Sequence, residues 1–270
     1  MYRYLFVIKE FKIPAYGFMA VIGYLVGMFF ITKEGKERKI EPSVLQSLSI
    51  WIIVGMLIGA RIWYVWENWC DFSSDFISIF KLWEGGMVFY GGFIGGFIGG
   101  LLFVKISKLN LPETMDVMAP GVAIAISIGR IGCFLNGCCY GRITNSWIGV
   151  SFPSRWLPPA YWDQVQKGLI PSTAECSLPV IPTQLISTLN LFIIFLILWK
   201  IRKKKIFNGF LFSLFIGLYG LHRFVIDFFR SYSGKALVLK FITLSQLLSI
   251  IMILISIVVI TVNGVNKRKK

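Results

Sequence analysis

Residues 118–142 read MAPGVAIAISIGRIGCFLNGCCYGR, and in them an apolar run passes without a break into a polar one. The polar part carries two arginines, a carboxamide, three thiols of which two are adjacent, and four glycines at or near the end of a hydrophobic segment. Charge is expensive in apolar surroundings, so Arg130 is a candidate for a functional site. Glycines at this density let a second backbone or a ligand approach closely. The stretch therefore predicts a membrane helix that leads into a binding site.

The composition is that of a membrane protein. Of the 270 residues, 56% are hydrophobic and 15% are charged, whereas a soluble domain carries roughly 25% charged residues. Several apolar runs approach the roughly 20 residues that cross a bilayer as a helix. We expect an all-α polytopic membrane protein, a single integral membrane domain over residues 1–270, with about seven transmembrane helices. The predicted spans are residues 14–31, 44–66, 86–104, 115–139, 181–201, 207–229 and 241–262.

The charged loops predict the orientation of the chain. The net charge of +15 collects in short loops after the first, third, fifth and last spans, as the positive-inside rule expects of cytoplasmic loops. No nucleic-acid partner is therefore expected. The N-terminus is predicted outside and the C-terminus in the cytoplasm. Residues 142–180, between the fourth and fifth spans, then form an extracytoplasmic loop region, and Cys70 and Cys176 lie outside.

Three arginines fall inside predicted spans, Arg61, Arg130 and Arg223. On one continuous helix Tyr219, Arg223, Asp227 and Arg230 would share a face, because they recur at i, i+4, i+8 and i+11. Asp227 can pair with either of its arginine neighbours and still leave positive charge for an anionic ligand. Two glycine-flanked arginines on separate spans favour a phosphate or carboxylate site, although structural ion pairing alone can explain one of them. Arg61 is interpreted as a packing or interfacial residue.

The glycines of the third span allow two interpretations. Gly92, Gly96 and Gly100 have the spacing of close helix packing, while Tyr90 would place a phenol beside an open backbone near the outer end of the span. Both can hold together. Tyr16, where the first span begins, would by itself be an interfacial anchor.

The cysteines offer no recognisable metal motif. The chain has five cysteines and one histidine, His222, and their spacing is not that of a zinc site, so neither a metal nor a cofactor is predicted. A membrane thiol oxidoreductase using Cys133, Cys138 and Cys139 is an alternative, but adjacent cysteines pair poorly and a defined CxxC is missing. A transporter is another alternative, but it predicts internal repeats, and the segment around Arg130 has no counterpart in the other half of the sequence.

These residues resemble a known family. The pattern from Gly129 through Arg130 and Asn136 to Gly141 is similar to the signature of bacterial prolipoprotein diacylglyceryl transferases, and supporting segments follow in the expected order over nearly the whole chain. Those segments are Tyr16-Gly17, Gly85-Gly86, Tyr90-Gly91-Gly92, Pro182-Thr183-Gln184-Leu185, Tyr219-Gly220, Arg223-Phe224 and Arg230.

The resemblance implies a reaction and a place for it. A member of this family acts in the bacterial inner membrane, with its active site toward the extracytoplasmic side. It moves the diacylglyceryl group of phosphatidylglycerol to the lipobox cysteine in the signal peptide of a preprolipoprotein, which forms a thioether and releases glycerol phosphate. A related enzyme with another lipid or acceptor is a further alternative. By the resemblance, the catalytic candidates are Arg130, Arg223 and Tyr90, and the substrate-binding candidates are Arg130, Tyr16, Gly91, Gly92, Asn136, Gly141, Gln184, Tyr219 and Arg230.

The chain departs from the family pattern at three positions. Many members have Asn where this chain has Cys133, Glu where it has Cys138, and His where it has Tyr90. These replacements affect the proton-accepting step more than lipid binding, so the general base remains open between Tyr90, His222 and another group. Guanidinium groups that neutralise the lipid phosphate would stabilise the leaving group, and the acceptor thiol must become a thiolate to attack.

Overall fold

The computed structural model of the protein describes residues 4–8, 11–72, 76–81, 85–204, 206–231, 237–239 and 242–268. It groups the chain into two compact units, Met1–Ile31 with Met115–Lys270, and Thr32–Thr114. The first residue predicted for the seventh span, Phe241, and the basic residues Lys205, Lys269 and Lys270 lie outside the described residues.

Seven apolar helices carry the fold, as the sequence predicts. Within the described residues, six are long and apolar enough to cross a membrane, and Tyr90–Ile106 is a shorter apolar helix. At 1.5 Å per residue, the 18-residue helix that contains this segment is about 27 Å long, close to the hydrocarbon thickness of a bilayer. The seven helices are α1 (Ala15–Glu37), α2 (Pro42–Glu67), α4 (Phe89–Ile106), α5 (Leu111–Asn136), α7 (Thr183–Ile201), α8 (Phe210–Asp227) and α9 (Leu244–Arg268).

Short elements complete the described chain. They are the hairpin β1 (Tyr4–Ile8) with β2 (Phe11–Pro14), the short helix α3 (Trp69–Phe72), a 3-10 helix (Phe76–Phe80), the helix α6 (Pro159–Gln166), and the hairpin β3 (Leu237–Leu239) with β4 (Ile242–Thr243).

Helix ends differ from the predicted spans for local reasons. The charged segment after the first span is helical, so α1 continues to Glu37. The fourth helix ends at Asn136 rather than at Cys139, because Gly137 has φ +72°, a left-handed conformation that ends helices and that glycine adopts without strain.

In the unit Thr32–Thr114, α2 and α4 pack almost backbone to backbone. A Cβ on Gly59 would clash with the Gly91 carbonyl oxygen, and one on Gly95 would clash with the Gly55 oxygen. The closest approach therefore runs through Gly91, Gly95 and Gly99, one position before the predicted Gly92, Gly96 and Gly100, whose added Cβ atoms would meet α2 mainly at side chains. Small residues bring the two helices together, as the glycine spacing predicts.

In the other unit, the hydrophobic core lies among α5, α7 and α8. Its buried members include Ala123, Leu191, Leu198 and Leu211. The buried carboxylate of Asp116 on α5 accepts hydrogen bonds from the backbone N–H groups of Gly209 (2.8 Å) and Phe212 (2.9 Å) at the start of α8. A carboxylate at a helix N-terminus satisfies free donors and complements the helix dipole.

The loop region of residues 142–180, called here the subdomain 142–180, is folded around a small core of its own. Backbone bridges join Val180 to Ile143 and to Val150, and Phe152 is completely buried in a small core. The Tyr140 hydroxyl donates to Asp163 on α6 at 2.6 Å. Burial, and then this hydrogen bond, raise the pKa of Tyr140 above its usual value of 10.0.

Candidate functional site

The segment after α5 pairs through its backbone with two other segments, the one before α7 and the one after α8. The Gly141 N–H donates to the Ile181 carbonyl at 2.9 Å, and the Arg142 N–H donates to the Phe229 carbonyl at 2.8 Å. A Cβ on Gly141 would lie 2.7 Å from the Phe229 oxygen and 2.8 Å from the Ile181 oxygen. Only glycine fits between these backbones, so Gly141 joins the end of α5 to the chain before α7 and after α8.

Two buried side chains at the start of α7 fix the same segment. The Thr183 hydroxyl donates to the Cys139 carbonyl at 2.7 Å, and the Gln184 amide donates to the Cys138 carbonyl at 2.8 Å. Both side chains are 1% exposed. Gln184, predicted to bind substrate, therefore has a positioning contact, while its side-chain oxygen has no hydrogen-bond partner among the described residues.

Arg130 lies on the last two turns of α5, and its guanidinium interacts electrostatically with Tyr219 of α8. The guanidinium also interacts electrostatically with Cys133, Cys139 and His222. Within the part of the chain that the structure describes, Arg130 forms no ion pair with a carboxylate. Its positive charge thus remains available to an anion, and the structure brings together Arg130 and Tyr219 as the sequence expects of one site.

Arg223 is held by the start of α9. Its Nε donates to the Ser245 hydroxyl at 2.7 Å, and its terminal nitrogen is 3.9 Å from Asp227. The Thr243 hydroxyl donates to the other Asp227 oxygen. Asp227, whose side chain is completely buried, is therefore shared between Arg223 and Thr243.

The sequence analysis missed Thr243 and Ser245. The sequence does contain a pattern that could have identified Thr243, because Thr243 and Gln246 have the threonine-x-x-glutamine spacing of a capping box at a helix N-terminus. The structure forms that box, with the Gln246 N–H donating to the Thr243 hydroxyl and the Thr243 N–H donating to the Gln246 side chain, both at 3.1 Å.

The predicted helical face does not extend to Arg230. Helix α8 ends at Asp227, and Arg230 instead forms an antiparallel backbone bridge with Gly141. The prediction that Arg230 follows Asp227 on one helix face is therefore wrong. The pairing nevertheless brings Arg230 to the segment after α5, where it interacts electrostatically with Cys139.

Tyr16 and Asn136 belong to the same surroundings. A Cβ on Gly132 would lie 3.2 Å from the Cα of Tyr16, so α1 begins against the end of α5. The Tyr16 phenol, 50% exposed, interacts electrostatically with Arg130 and with the thiols after it. Asn136 is the last residue of α5, and its side chain interacts with the Cys138 thiol.

His222 is buried on α8, 7% exposed, with its Nδ1 3.2 Å from the Asn190 side-chain nitrogen on α7. It interacts electrostatically with both Arg130 and Arg223. Its place among these residues keeps it among the candidate bases.

Tyr90, Gly91 and Gly92 lie in the unit Thr32–Thr114. Tyr90 is in the first turn of α4 and 55% exposed, while Gly91 and Gly92 pack against α2. Their packing accounts for the glycines, and the predicted substrate contacts of all three stay predictions.

Three thiols meet beside Arg130. The sulfur atoms of Cys133, Cys138 and Cys139 all lie within 4.8 Å of one another. Arg230 and Arg130 both interact electrostatically with the Cys139 thiol. The spacing in the sequence does not reveal this cluster, because it depends on the turn at Gly137.

Comparisons with known proteins agree on one family. The family model for prolipoprotein diacylglyceryl transferase matches residues 3–262. The chain is 31% identical over 260 residues to phosphatidylglycerol–prolipoprotein diacylglyceryl transferase 2 of Clostridium perfringens, covering 96% of this chain and 94% of that protein. It is 30% identical to the phosphatidylglycerol–prolipoprotein diacylglyceryl transferases of Ehrlichia ruminantium (strain Welgevonden), with 92% of both chains covered, and of Francisella tularensis subsp. novicida, with 96% of this chain and 91% of that protein covered.

Proposed function

The chain belongs to the prolipoprotein diacylglyceryl transferase family, and we propose that Arg130 holds the phosphate of phosphatidylglycerol while the lipid's diacylglyceryl group passes to a prolipoprotein. The chain is a multi-pass membrane transferase, and its substrates are phosphatidylglycerol and prolipoproteins. The finer proposal concerns which residues bind them. The acceptor is the thiol of the lipobox cysteine in the prolipoprotein signal peptide.

The observation that carries this assignment is the unneutralised charge of Arg130. No described carboxylate forms an ion pair with it, and on α8 it interacts electrostatically with the phenol of Tyr219. A partly buried guanidinium without a counter-ion favours an anion, and its planar fork matches two oxygens of a phosphate. Arg223 and Arg230 add positive charge in the same unit, with Arg223 tied to Ser245 and Arg230 to the backbone of Gly141.

The reaction is a displacement at the glycerol carbon that carries the phosphate. The cysteine thiolate forms a new sulfur–carbon bond, the carbon–oxygen bond to phosphate breaks, and glycerol phosphate leaves with the electron pair. The thiol proton passes to a base, which is supplied by Tyr90, by His222 or by another group; the three alternatives stay open. Negative charge grows on the leaving phosphate, so a guanidinium fixed there stabilises the transition state more than the ground state.

The test replaces the planar guanidinium of Arg130 by the single ammonium group of lysine. We expect Arg130→Lys to lower kcat/KM about a hundredfold, or about 2.7 kcal/mol, because lysine keeps the charge and loses bidentate geometry. Arg223→Lys is expected to lose most activity for the same reason. The assay is thioether formation on a lipobox peptide in phosphatidylglycerol vesicles, followed by mass spectrometry.

Arg202→Lys is the matched control. Arg202 caps the other end of α7, about 28 Å along the helix from Thr183, where it stacks on Trp199 at 3.7 Å. Its transfer activity should stay near that of the wild type. Near-normal turnover in folded Arg130→Lys, with the control equally active, would show that Arg130 does not bind the lipid phosphate.

We also propose that this site faces the outside of the bacterial inner membrane. The proposed residues lie at the end of α5, the start of α7 and the end of α8, whereas Lys200, Lys203 and Lys204 lie at the opposite end of α7. Basic clusters favour the cytoplasmic side. The N-terminus is then outside, the C-terminus is cytoplasmic, and the subdomain 142–180 is extracytoplasmic, where its exposed Trp147 can meet the signal peptide.

Thiol labelling tests this orientation. Cys70 and Cys176 are exposed, so a membrane-impermeant maleimide should label both in intact spheroplasts, after reduction. A single-cysteine variant with Ser256→Cys, buried in α9, should stay unlabelled. Labelling of Cys70 and Cys176 only after permeabilisation would reverse the orientation.

A further inference from the structure

The proposed transfer uses none of the three thiols that lie beside Arg130. Cys133 is buried in the last turns of α5, 8% exposed, and Cys138 and Cys139 follow the turn at Gly137. The Cys138 N–H donates to the Cys133 carbonyl at 3.1 Å, which folds the chain back on the helix end. The sulfur atoms of all three cysteines therefore lie close together, and the proposed transfer does not account for this cluster.

The backbone that carries Cys138 and Cys139 is held in place by side chains at the start of α7. Thr183 and Gln184 bind the carbonyls of Cys139 and Cys138, and Cys139 itself has φ +60°, which is uncommon for a residue with a side chain. The cluster is thus built into the fold by contacts that do not involve the sulfur atoms, so the positions of the sulfurs do not depend on a disulfide.

The spacing suits a soft metal ion. Three sulfur atoms bound to one ion at about 2.3 Å are about 4 Å apart in a trigonal plane, and the three sulfurs here lie within 4.8 Å of one another. Thiolates select monovalent copper and zinc over harder ions. Zinc usually takes four ligands, and the described residues supply a group of three, which favours monovalent copper.

The charges around the cluster favour the same ion. Binding requires thiolates and releases their protons, so three thiols and one monovalent copper ion give a complex of net charge −2 and three protons. Arg130 and Arg230 both interact electrostatically with Cys139 and can offset that charge. The same guanidinium that we assign to the lipid phosphate would therefore be drawn to the metal complex.

We propose that Cys133, Cys138 and Cys139 bind one monovalent copper ion as three thiolates, and that the bound ion inhibits diacylglyceryl transfer by engaging Arg130. The binding stands on the geometry of the cluster alone, whereas the inhibition rests on the proposed function of Arg130. The proposal departs from the sequence prediction that the protein binds no metal.

The binding test is a titration of the full-length protein in detergent, reduced and anaerobic, with monovalent copper against a chromogenic copper chelator. We expect one ion per chain and at least a hundredfold weaker binding in each of Cys133→Ser, Cys138→Ser and Cys139→Ser. Cys70→Ser and Cys176→Ser, which replace exposed thiols outside the cluster, should bind as the wild type does. Zinc should bind more weakly than copper.

Two results would overturn the site. One is unchanged copper binding in a folded Cys133→Ser variant. The other is a disulfide within the cluster. It would show as three free thiols instead of five in freshly purified, denatured wild type, and as one free thiol instead of three in the double variant Cys70→Ser with Cys176→Ser.

Activity separates the two halves of the proposal. One equivalent of copper should suppress transfer by the wild type at least tenfold, the chelator should restore it, and Cys133→Ser should be active and insensitive to copper. Full activity with copper bound would overturn the inhibition and leave the binding site standing. Absence of transfer in the metal-free wild type would contradict the proposed function, while the titration would still decide the metal site.

Discussion

Arg61→Lys tests the structural role of an arginine that the sequence analysis interprets as a packing or interfacial residue. The buried guanidinium donates to four backbone carbonyls, those of Ser78 (2.6 Å), Ile79 (2.8 Å), Gly85 (2.7 Å) and Gly86 (3.1 Å). It thereby fixes the chain that leads into α4, where Tyr90 lies.

The expected cost follows from the geometry of the donors. A guanidinium spreads its donors over a planar fork, whereas the three donors of lysine leave one nitrogen atom. That atom can reach about two of the four carbonyls, so about two hydrogen bonds to a charged group are lost, each worth about 1.5–3 kcal/mol. Arg61 also lies 5.5 Å and 5.4 Å from the rings of Tyr64 and Phe72. We expect a loss of roughly 3 kcal/mol of stability, against the tolerance for lysine that the sequence alone suggests.

Unfolding of the purified protein in detergent, followed by tryptophan fluorescence, measures this loss. Arg155→Lys is the control, because Arg155 is exposed and, among the described residues, its side chain contacts the ring of Trp156 at 5.4 Å. The effect of this substitution should stay within about 0.5 kcal/mol. At a temperature where both variants are folded, Arg61→Lys should transfer lipid nearly as well as the wild type, since no substrate contact is assigned to it. Unchanged stability of Arg61→Lys would refute the four-carbonyl account.

Two further substitutions test the surroundings of the site. Gly141→Ala should prevent folding or abolish activity, since its Cβ would lie 2.7 Å from the Phe229 oxygen. The control Gly264→Ala, with open space around its Cβ, should behave as the wild type in yield and size-exclusion profile. A Gly141→Ala variant that folds normally and is active would contradict the backbone pairing. Tyr140 has a raised pKa, so the stability that its protonated phenol contributes is present below about pH 10 and is lost as the pH rises above it. The stability of Tyr140→Phe should accordingly fall less between about pH 9 and about pH 11, and parallel curves would refute the linkage.

The number of helices is predictable from the sequence because the bilayer imposes length and apolarity on each span. Helix ends are less predictable, because they depend on single residues. The predicted fourth span ran to Cys139, but α5 ends at Asn136, since the next residue, Gly137, has a left-handed φ of +72°. The apolar run before it contains nothing that marks this particular glycine, among several, as the one that ends the helix.

Contacts between distant parts of the chain explain what the sequence could not predict. Arg230 reaches the site through backbone pairing with Gly141, 89 positions earlier in the sequence, and no periodicity encodes such a pairing. The thiol cluster likewise needs the turn at Gly137 and the hydrogen bonds of Thr183 and Gln184 to the two carbonyls. By contrast, Arg130 could be predicted from the sequence, because a charge in an apolar run is visible without a fold.

The positive charge proposed to hold the lipid phosphate also favours its departure. Arg130 forms no ion pair with a carboxylate among the described residues. A departing phosphate monoester carries close to two negative charges near neutral pH, whereas the phosphodiester of the intact lipid carries one. In the proposed role, the guanidinium of Arg130 would therefore bind the leaving group more strongly than the intact lipid, and this difference is what accelerates a reaction.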